Sequence, residues 1–288
     1  MSLYYTRLSK ITQPTVSQQI AKLEERLGGK LFERVGHDVI PTALAQELLV
    51  FSSSILDMMD QFEDKLQNGR ILPHGTVRYA MPESCQWTPH YIKIMGQIRE
   101  FPDIRFKIDI LPNDAIIKGL IEGHIDFGFV LGEHIHPELR FQKFSDEVYS
   151  MVARDKELFH PFQSEAGSSK LRLIMFPGWE PFFSTWARAA GLFKQLKSKL
   201  KEPAVHIGSL AGAIHAINAG AGVGIIPSHC VANDLVTGKL YEWKPSRTMI
   251  ASSPVFIAKR IGERLPKRVE IIIEMLRLSK HEGTGSKS

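Results

Sequence analysis

Short apolar runs and helix-spaced apolar positions alternate along residues 76–279 in two successive sets. An apolar run of a few residues is typical of a buried strand, whereas apolar residues three or four positions apart are typical of a helix. The first set predicts strands at Thr76–Met81, Phe106–Leu111 and Ile125–Leu131 and helices at Trp87–Phe101 and Asp114–Glu122. The second set predicts strands at Leu171–Phe176, Ala204–Ile207 and Val223–Pro227 and helices at Phe183–Leu200 and Leu210–Ala219. This alternation predicts an α/β fold with parallel sheets that carry helices on both faces.

The two sets predict two lobes, which we place at about residues 75–152 and 153–255. Strand Pro254–Ala258 and helix Lys267–Ser279 follow the second set, and we expect residues 256–281 to return to the first lobe. Before the first set, residues 68–75 contain two glycines and a proline, which mark a boundary. Residues 75–281 are therefore expected to form a domain separate from the N-terminal part of the chain.

The N-terminal part contains a helical pattern that begins near Thr12, a suitable N-cap, with Pro14 tolerated in the first turn. Its apolar stripe comprises Val16, Ile20, Leu23 and Leu27, and its opposite face carries Pro14, Thr15, Gln18, Ala21 and Lys22. Small, hydrogen-bonding and basic side chains suit a helix in the major groove of DNA, where they meet base edges and phosphates. On periodicity alone, an ordinary amphipathic surface helix is the more common explanation.

A second long helix is predicted from a cap at Thr42 to about Gln67. Its apolar residues are spaced alternately by four and three positions: Leu44, Leu48, Phe51, Ile55, Met58 and Phe62. Such a heptad seam favours pairing with another helix, most simply from an identical subunit. The alternative is a helix that packs on its own domain.

The composition allows two or three compact units, because the chain has 288 residues and 43% hydrophobic content. The net charge of +5 is compatible with nucleic-acid binding, although it is not concentrated near the N-terminus. Cys85 and Cys230 lie far apart and form no metal-spaced motif, which fits a reducing cytosol. No signal segment or membrane-spanning run is visible in the sequence, so we expect a cytoplasmic protein with no membrane partner.

No constellation of residues predicts catalysis, a cofactor or a metal site. Gly220, Gly222 and Gly224 lead into a predicted strand, whereas a dinucleotide-binding fingerprint follows a strand and opens a helix. A metal is suggested at one cluster, which comprises Glu133, His134, His136 and Glu138. A solvated loop is the favoured explanation there, because no further ligand stands at the right spacing.

A pocket for a small molecule is predicted where the two lobes meet. In open α/β folds, ligands bind beyond the carboxyl ends of strands and against helix N-termini. The helix ends favour negative charge, so we expect a carboxylate or another anion. The candidate binding residues are Ser84, Cys85, Trp87, Val130, Leu131, Phe176, Ser209 and Leu210. For Ser84 and Ser209, helix capping alone is an equally good explanation.

Several of these segments resemble the LysR-type bacterial transcriptional regulators. The helix from Thr12 to Leu27, followed by Leu31-Phe32-Glu33-Arg34, resembles the recognition helix and wing of that family. The stretches 101–104, 120–128 and 219–227 resemble parts of its two-lobed effector domain. The resemblance implies a winged helix-turn-helix at residues 1–42, a linker and dimerisation helix at 43–68, and a periplasmic-binding-protein-like effector domain at 75–281.

The resemblance also implies the partners of the chain. They are double-stranded promoter DNA, a small-molecule effector and further copies of the chain, in a homodimer or homotetramer. Ser84 matches a position where the family often places a hydroxyl that binds the effector. The DNA-binding residues that it implies are Thr12, Gln13, Pro14, Thr15, Ser17, Gln18, Lys22 and Arg34.

The N-terminus departs from the family pattern. The sequence begins Met1–Leu8 where family members carry a helix that packs under the recognition helix, so we expect that helix to be missing and DNA binding to be weaker. The alternative function is a solute-binding protein of a transport system, which shares the two-lobed fold. Such a protein needs a secretion signal, and its function does not require the two helices predicted in residues 12–66. We therefore favour the transcriptional regulator.

Overall fold

The computed structural model describes residues 13–36, 38–66, 73–159, 172–199, 205–244, 250–262 and 265–282. Helix α1 spans Gln13–Leu27 and ends where Gly28 takes a φ of 68°, a left-handed conformation that glycine adopts without steric cost. Strands β1 (Phe32–Val35) and β2 (Asp38–Pro41) follow as an antiparallel pair. The predicted cap Thr12 and the predicted departure at residues 1–8 lie outside the described residues.

Helix α2 spans Ala43–Leu66, and Thr42 caps its N-terminal end, as the sequence predicts. The Thr42 hydroxyl accepts from a first-turn N–H at 3.2 Å and donates to the carbonyl of Lys30 at 2.7 Å. Glu24 of α1 accepts from the backbone N–H of Leu31 at 2.8 Å and from the ammonium group of Lys30 at 2.7 Å. These bonds join the end of α1, the start of β1 and the start of α2.

The first lobe contains the predicted alternation of strands and helices. Its elements up to residue 131 are β3 (Gly75–Met81), α3 (Pro89–Gln97), β4 (Ile104–Ile110), α4 (Asn113–Ile121) and β5 (Phe127–Leu131). The predicted helix Trp87–Phe101 is divided, because 3-10 turns at Glu83–Trp87 and Ile98–Glu100 flank α3. Pro89 explains the first division: it lacks an N–H and keeps Thr88 extended, with φ −79° and ψ 145°.

The long strand β6 (Leu139–Ala153) is the largest difference from the predicted fold, because the periodicity predicts no strand there. Strand β11 (Ser252–Arg260) lies antiparallel between β5 and the first part of β6. The sheet is therefore mixed and not wholly parallel: β4, β3 and β5 are parallel, and β11 and β6 run against their neighbours. Pairing between segments so far apart in the chain is a tertiary contact that local periodicity does not encode.

Strand β6 changes its neighbours between Val148 and Tyr149, and thereby passes from one lobe to the other. Up to Val148 it pairs with β11, and from Tyr149 it pairs with β9 (Val223–Pro227). Its last residues also pair with β10 (Tyr241–Trp243). On the return, β11 pairs with β6 from Ser252. The lobe boundaries at about residues 152 and 255 stay predictions.

The second lobe is built on the end of β6. Its remaining elements are β7 (Ile174–Met175), α5 (Trp179–Ala189), α6 (Phe193–Lys199), β8 (Val205–His206), α7 (Leu210–Asn218) and α8 (Ala232–Val236). The predicted helix Phe183–Leu200 is two helices, because the chain turns at Gly191, where φ is 72°. Helix α9 (Lys267–Glu282) returns to the first lobe, where the buried Arg268 donates to the carbonyl of Thr76 at 3.0 Å.

Each lobe has a core of its own. In the first lobe, successive strand residues divide between the faces of the sheet, so Phe129 packs with the α3 and α9 side chains and Val130 packs with those of α4. In the second lobe, Phe183 and Trp186 of α5 pack with the buried end of β6. None of the described helices has both the length and the apolar composition needed to span a membrane.

Candidate functional site

A cavity of about 620 Å³ lies where the two lobes meet. It is placed beyond the carboxyl ends of β3 and β5 and at the N-terminal ends of α4, α5 and α7. Its volume is within the range of small-molecule binding sites. Four of the eight predicted binding residues line it, namely Ser84, Leu131, Phe176 and Leu210. The structure therefore brings residues of both lobes together where the strand order predicts a pocket.

The other four predicted residues do not line this cavity, and their contact with an effector stays a prediction. Val130 is fully buried on the α4 face of β5, because neighbouring strand residues point to opposite faces. Cys85 is buried in the first-lobe core, and Trp87 packs against the second-lobe core. The hydroxyl of Ser209 accepts from the N–H of Gly212 at 3.0 Å, which is the capping role.

Glu83 joins the two lobes, and the sequence patterns do not single it out. Its carboxylate accepts from the backbone N–H of Leu210 at 2.8 Å and from that of Ala211 at 3.1 Å. First-turn N–H groups have no partner within their own helix, and the helix dipole favours negative charge there. A first-lobe side chain thus makes charge-assisted hydrogen bonds to a second-lobe helix.

Asn113 holds the end of β5 at the edge of the cavity. Its side-chain amide donates to the carbonyl of Leu131 at 2.7 Å and accepts from the N–H of Leu131 at 3.1 Å. The Nε2 atom of His134 lies 2.9 Å from the same carbonyl. His134 belongs to the cluster in which the sequence suggests a metal site. Among the described residues, no group of three or more His, Cys, Asp and Glu side chains is placed to hold a metal ion.

A cluster of polar groups lies at the junction of the lobes. His229 Nε2 lies 2.9 Å from the carbonyl oxygen of Ser84 and 3.9 Å from Oε2 of Glu147. Glu147 is only 4% exposed, and this burial raises the pKa of its carboxyl from 4.5 to about 7. The nearby hydroxyls of Ser84 and Tyr149 offset part of the increase. Burial also lowers the pKa of His229, so both groups are biased towards their neutral forms.

The polar face of α1 is open to solvent. The exposed predicted DNA-binding residues are Thr15, Ser17, Gln18 and Lys22 on α1 and Arg34 on β1. Gln13 and Pro14 begin the helix, and their side chains, like Thr12, lie outside the described residues. The predicted apolar stripe is only partly covered, because Val16, Leu23 and Leu27 are 40%, 37% and 41% exposed.

Helix α2 exposes part of its predicted dimerisation seam. Phe51 is 64% exposed and Ile55 is 37% exposed, whereas Leu44 and Leu48 are half-buried. The side chains of Met58 and Phe62 lie outside those that the structure describes. Apolar side chains exposed together along a helix are typical of an interaction surface.

Two family models match the chain. The model described as "LysR substrate binding domain" matches residues 70–279, and the model described as "Bacterial regulatory helix-turn-helix protein, lysR family" matches residues 7–46. The RuBisCO operon transcriptional regulator of Acidithiobacillus ferrooxidans is 26% identical over 235 residues, which are 80% of this chain and 74% of that protein. The HTH-type transcriptional activator CmpR of Synechocystis sp. is 24% identical over 233 residues, which are 80% of this chain and 75% of that protein.

Solved structures share the fold. A full-length OxyR from Pseudomonas aeruginosa has a TM-score of 0.62 at 19% identity, with 93% of this chain and 86% of that chain covered. Full-length CbnR in complex with its target DNA has a TM-score of 0.61 at 21% identity, with 95% and 92% covered. Because the two family models cover both the helix-turn-helix and the two-lobed domain, this chain belongs to the LysR family of transcriptional regulators, which join a DNA-binding helix-turn-helix to an effector-binding domain.

Proposed function

We propose that this chain regulates transcription by coupling an effector in the cavity between its lobes to the binding of promoter DNA by α1 and the wing. The observation that carries the proposal is the cavity itself, since its walls come from both lobes and Glu83 connects them. A ligand that contacts both walls binds best in one relative arrangement of the lobes. It therefore shifts the population towards that arrangement.

The effector site in this proposal includes the cavity-lining residues Ser84, Leu131, Phe176 and Leu210. Leu131 and Phe176 supply apolar wall from the first and the second lobe, respectively. Ser84 supplies a hydroxyl at the end of β3. This combination of apolar walls with a few polar groups is typical of small-molecule sites.

On the DNA side, the proposal assigns base contacts to Gln18 and phosphate contacts to Lys22 and Arg34. All three side chains are exposed in the structure. A glutamine side chain both donates and accepts, so it can pair with the edge of an adenine in the major groove. We further propose that the seam of α2 joins two copies of the chain, because DNA-binding dimers read two half-sites.

We also propose that the chain acts as a regulator without enzymatic activity, in the cytoplasm. The two cysteines, Cys85 and Cys230, are free and buried, which is compatible with a reducing compartment.

The test is a selection of bound sequences from random double-stranded DNA by the full chain. The expected result is a recurrent motif, which Gln18→Ala relaxes at one base position by about 1–3 kcal/mol. Gln19→Ala is the matched control, because Gln19 is also exposed on α1 but lies about 100° around the helix from Gln18. A selection that returns no recurrent motif would contradict the proposed function, and an equal effect of both substitutions would remove Gln18 from the base contacts.

A further inference from the structure

A buried acid lies on the strand that connects the two lobes. Strand β6 changes its partner after Val148, and Glu147 is the residue before that position. The second connecting segment runs beside it, because Glu147 pairs with Ser253 of β11 and the N–H of Tyr149 donates to the carbonyl of Ala251 at 2.8 Å. A hinge movement is absorbed by a few residues at such connections. The carboxyl of Glu147 is therefore carried by the segments about which one lobe can move relative to the other.

This carboxyl lies beside a contact between two short turns, one from each lobe. The 3-10 turn Glu83–Trp87 belongs to the first lobe, and the 3-10 turn Ser228–Val231 belongs to the second. We call the place where they meet the turn contact. His229 has its Nε2 atom 2.9 Å from the carbonyl oxygen of Ser84 and 3.9 Å from Oε2 of Glu147. A carbonyl oxygen only accepts, so Nε2 carries the hydrogen of the bond that joins the two turns.

The surroundings of Glu147 provide hydroxyl groups but no permanent positive charge. The hydroxyls of Ser84 and Tyr149 lie beside the carboxyl. In the described part of the chain, no lysine or arginine forms an ion pair with Glu147. A carboxylate at the turn contact therefore has no fixed cation to balance it. The other titratable groups of the cluster are His229, Cys85 and Cys230, together with His90 beside His229 and Glu83 beside Cys230.

The protonation of the cluster depends on whether the turn contact is closed. Burial raises the pKa of Glu147 to about 7 and lowers that of His229, so both groups are biased towards their neutral forms in the closed contact. If the lobes move apart, the carboxyl meets water, its pKa returns towards 4.5, and it releases its proton at neutral pH. The proton thus favours the closed contact fully below pH 4.5, and this preference is lost as the pH rises through about 7.

We propose that the proton on Glu147 is a second regulator of this protein, which holds the turns Glu83–Trp87 and Ser228–Val231 together and on its release lets the lobes move apart about β6 and β11. Tyr149 and Ser253, which adjoin Glu147, also line the cavity. The proton and an effector in the cavity therefore act on the same equilibrium between arrangements of the lobes, and each changes the affinity for the other. The proposal goes beyond the effector site and does not depend on which effector binds there.

The test uses Cys230 as a probe of the turn contact. Its side chain is buried and its thiol lies 3.8 Å from the carbonyl oxygen of Ser84, so a reagent reaches it when the contact opens. The full chain is labelled with methyl methanethiosulfonate at several pH values from 6 to 8, and the modification of Cys230 is followed by mass spectrometry after digestion. The labelling rate of the parent is divided by that of Glu147→Gln, in which a glutamine replaces the protonated acid. The ionisation of the thiol itself cancels in this ratio.

The ratio should increase with pH, because only the parent loses a proton from the turn contact. With a pKa of 4.5 in the open contact and about 7 in the closed one, the increase from pH 6 to pH 8 is roughly tenfold. Glu157→Gln makes the same chemical change at an exposed acid away from the turn contact, and its ratio should not show this increase. Low concentrations of urea should raise the labelling rate less steeply than they promote global unfolding, because a local opening exposes less surface.

Two outcomes would overturn the proposal. A ratio for Glu147→Gln that stays constant from pH 6 to pH 8 would show that the proton does not act on the turn contact. Labelling of Cys230 that depends on urea as steeply as global unfolding does would show that the contact opens only when the whole fold is lost, so that the proton changes stability without moving the lobes. Neither outcome concerns the binding of DNA, which the selection of bound sequences tests separately.

Discussion

Replacing Glu147 by Gln tests whether a buried carboxyl at the lobe junction makes the protein less stable as the pH rises. Glu147 is 4% exposed, and its burial raises the pKa from 4.5 to about 7. Between these two values the folded protein holds a proton on Glu147 that the unfolded chain releases. The stability contributed by this proton is fully present below pH 4.5 and is lost as the pH rises through about 7.

The size of this loss follows from the two pKa values. Each pH unit between them changes the free energy of unfolding by about 1.4 kcal/mol, so the total loss is roughly 3 kcal/mol. Glutamine has nearly the same shape and does not titrate. The difference in unfolding free energy between Glu147→Gln and the parent should therefore increase by roughly 3 kcal/mol from about pH 4.5 to about pH 8, in favour of the variant. The nearby His229 titrates in both proteins, so most of its contribution cancels in the difference.

The measurement is urea unfolding, followed by tryptophan fluorescence, at closely spaced pH values. Equal m-values for the two proteins would show that the same transition is compared. Glu157→Gln is the matched control, because it makes the same chemical change at an exposed acid away from the lobe junction. A difference for Glu147→Gln that does not change with pH would show that burial does not raise the pKa of this carboxyl, and the reasoning would be refuted.

Three further predictions concern the lobes, the assembly and the DNA. Glu83→Gln should lower the unfolding free energy by about 1–2 kcal/mol, because glutamine lacks the charge and has a single acceptor oxygen for the two N–H groups of α7. If urea unfolding shows that Glu83→Gln lowers the unfolding free energy no more than Glu157→Gln does, this prediction is contradicted. Ile55→Asp should dissociate the dimer, as measured by light scattering, because an unpaired charge is costly in an apolar seam. Gln46→Asp, which lies outside the seam, should leave the dimer intact. A parent protein that is already monomeric at micromolar concentration would contradict dimerisation through this seam. Arg34→Ala should weaken binding to all DNA sequences alike and reduce the slope of log affinity against log salt by about 1, and an unchanged slope would exclude a phosphate contact.

Local sequence patterns locate most elements of the effector domain. Strand β9 has the predicted bounds Val223–Pro227, and α7 begins at the predicted Leu210. Both lie beside strong local signals, since Ser209 caps α7 and Gly220, with a φ of 82°, turns the chain towards β9. The order of strands and helices also places the cavity, because the carboxyl ends of parallel strands and the helix N-termini meet at one edge of a sheet.

Tertiary structure alone decides how these elements are joined and which side chain contacts the N-terminal end of α7. The partners of β6, and the change of partners after Val148, depend on segments that lie far apart in the chain. The bond between Glu83 and Leu210 joins residues 127 positions apart. Together with the bond to Ala211, it places a carboxylate of the chain at a helix end that favours anions. Periodicity and capping rules describe neighbours along the chain, so they predict that α7 has an N-terminal end. Whether that end is open to a ligand depends on which distant side chain folds against it, and only the packed chain determines that.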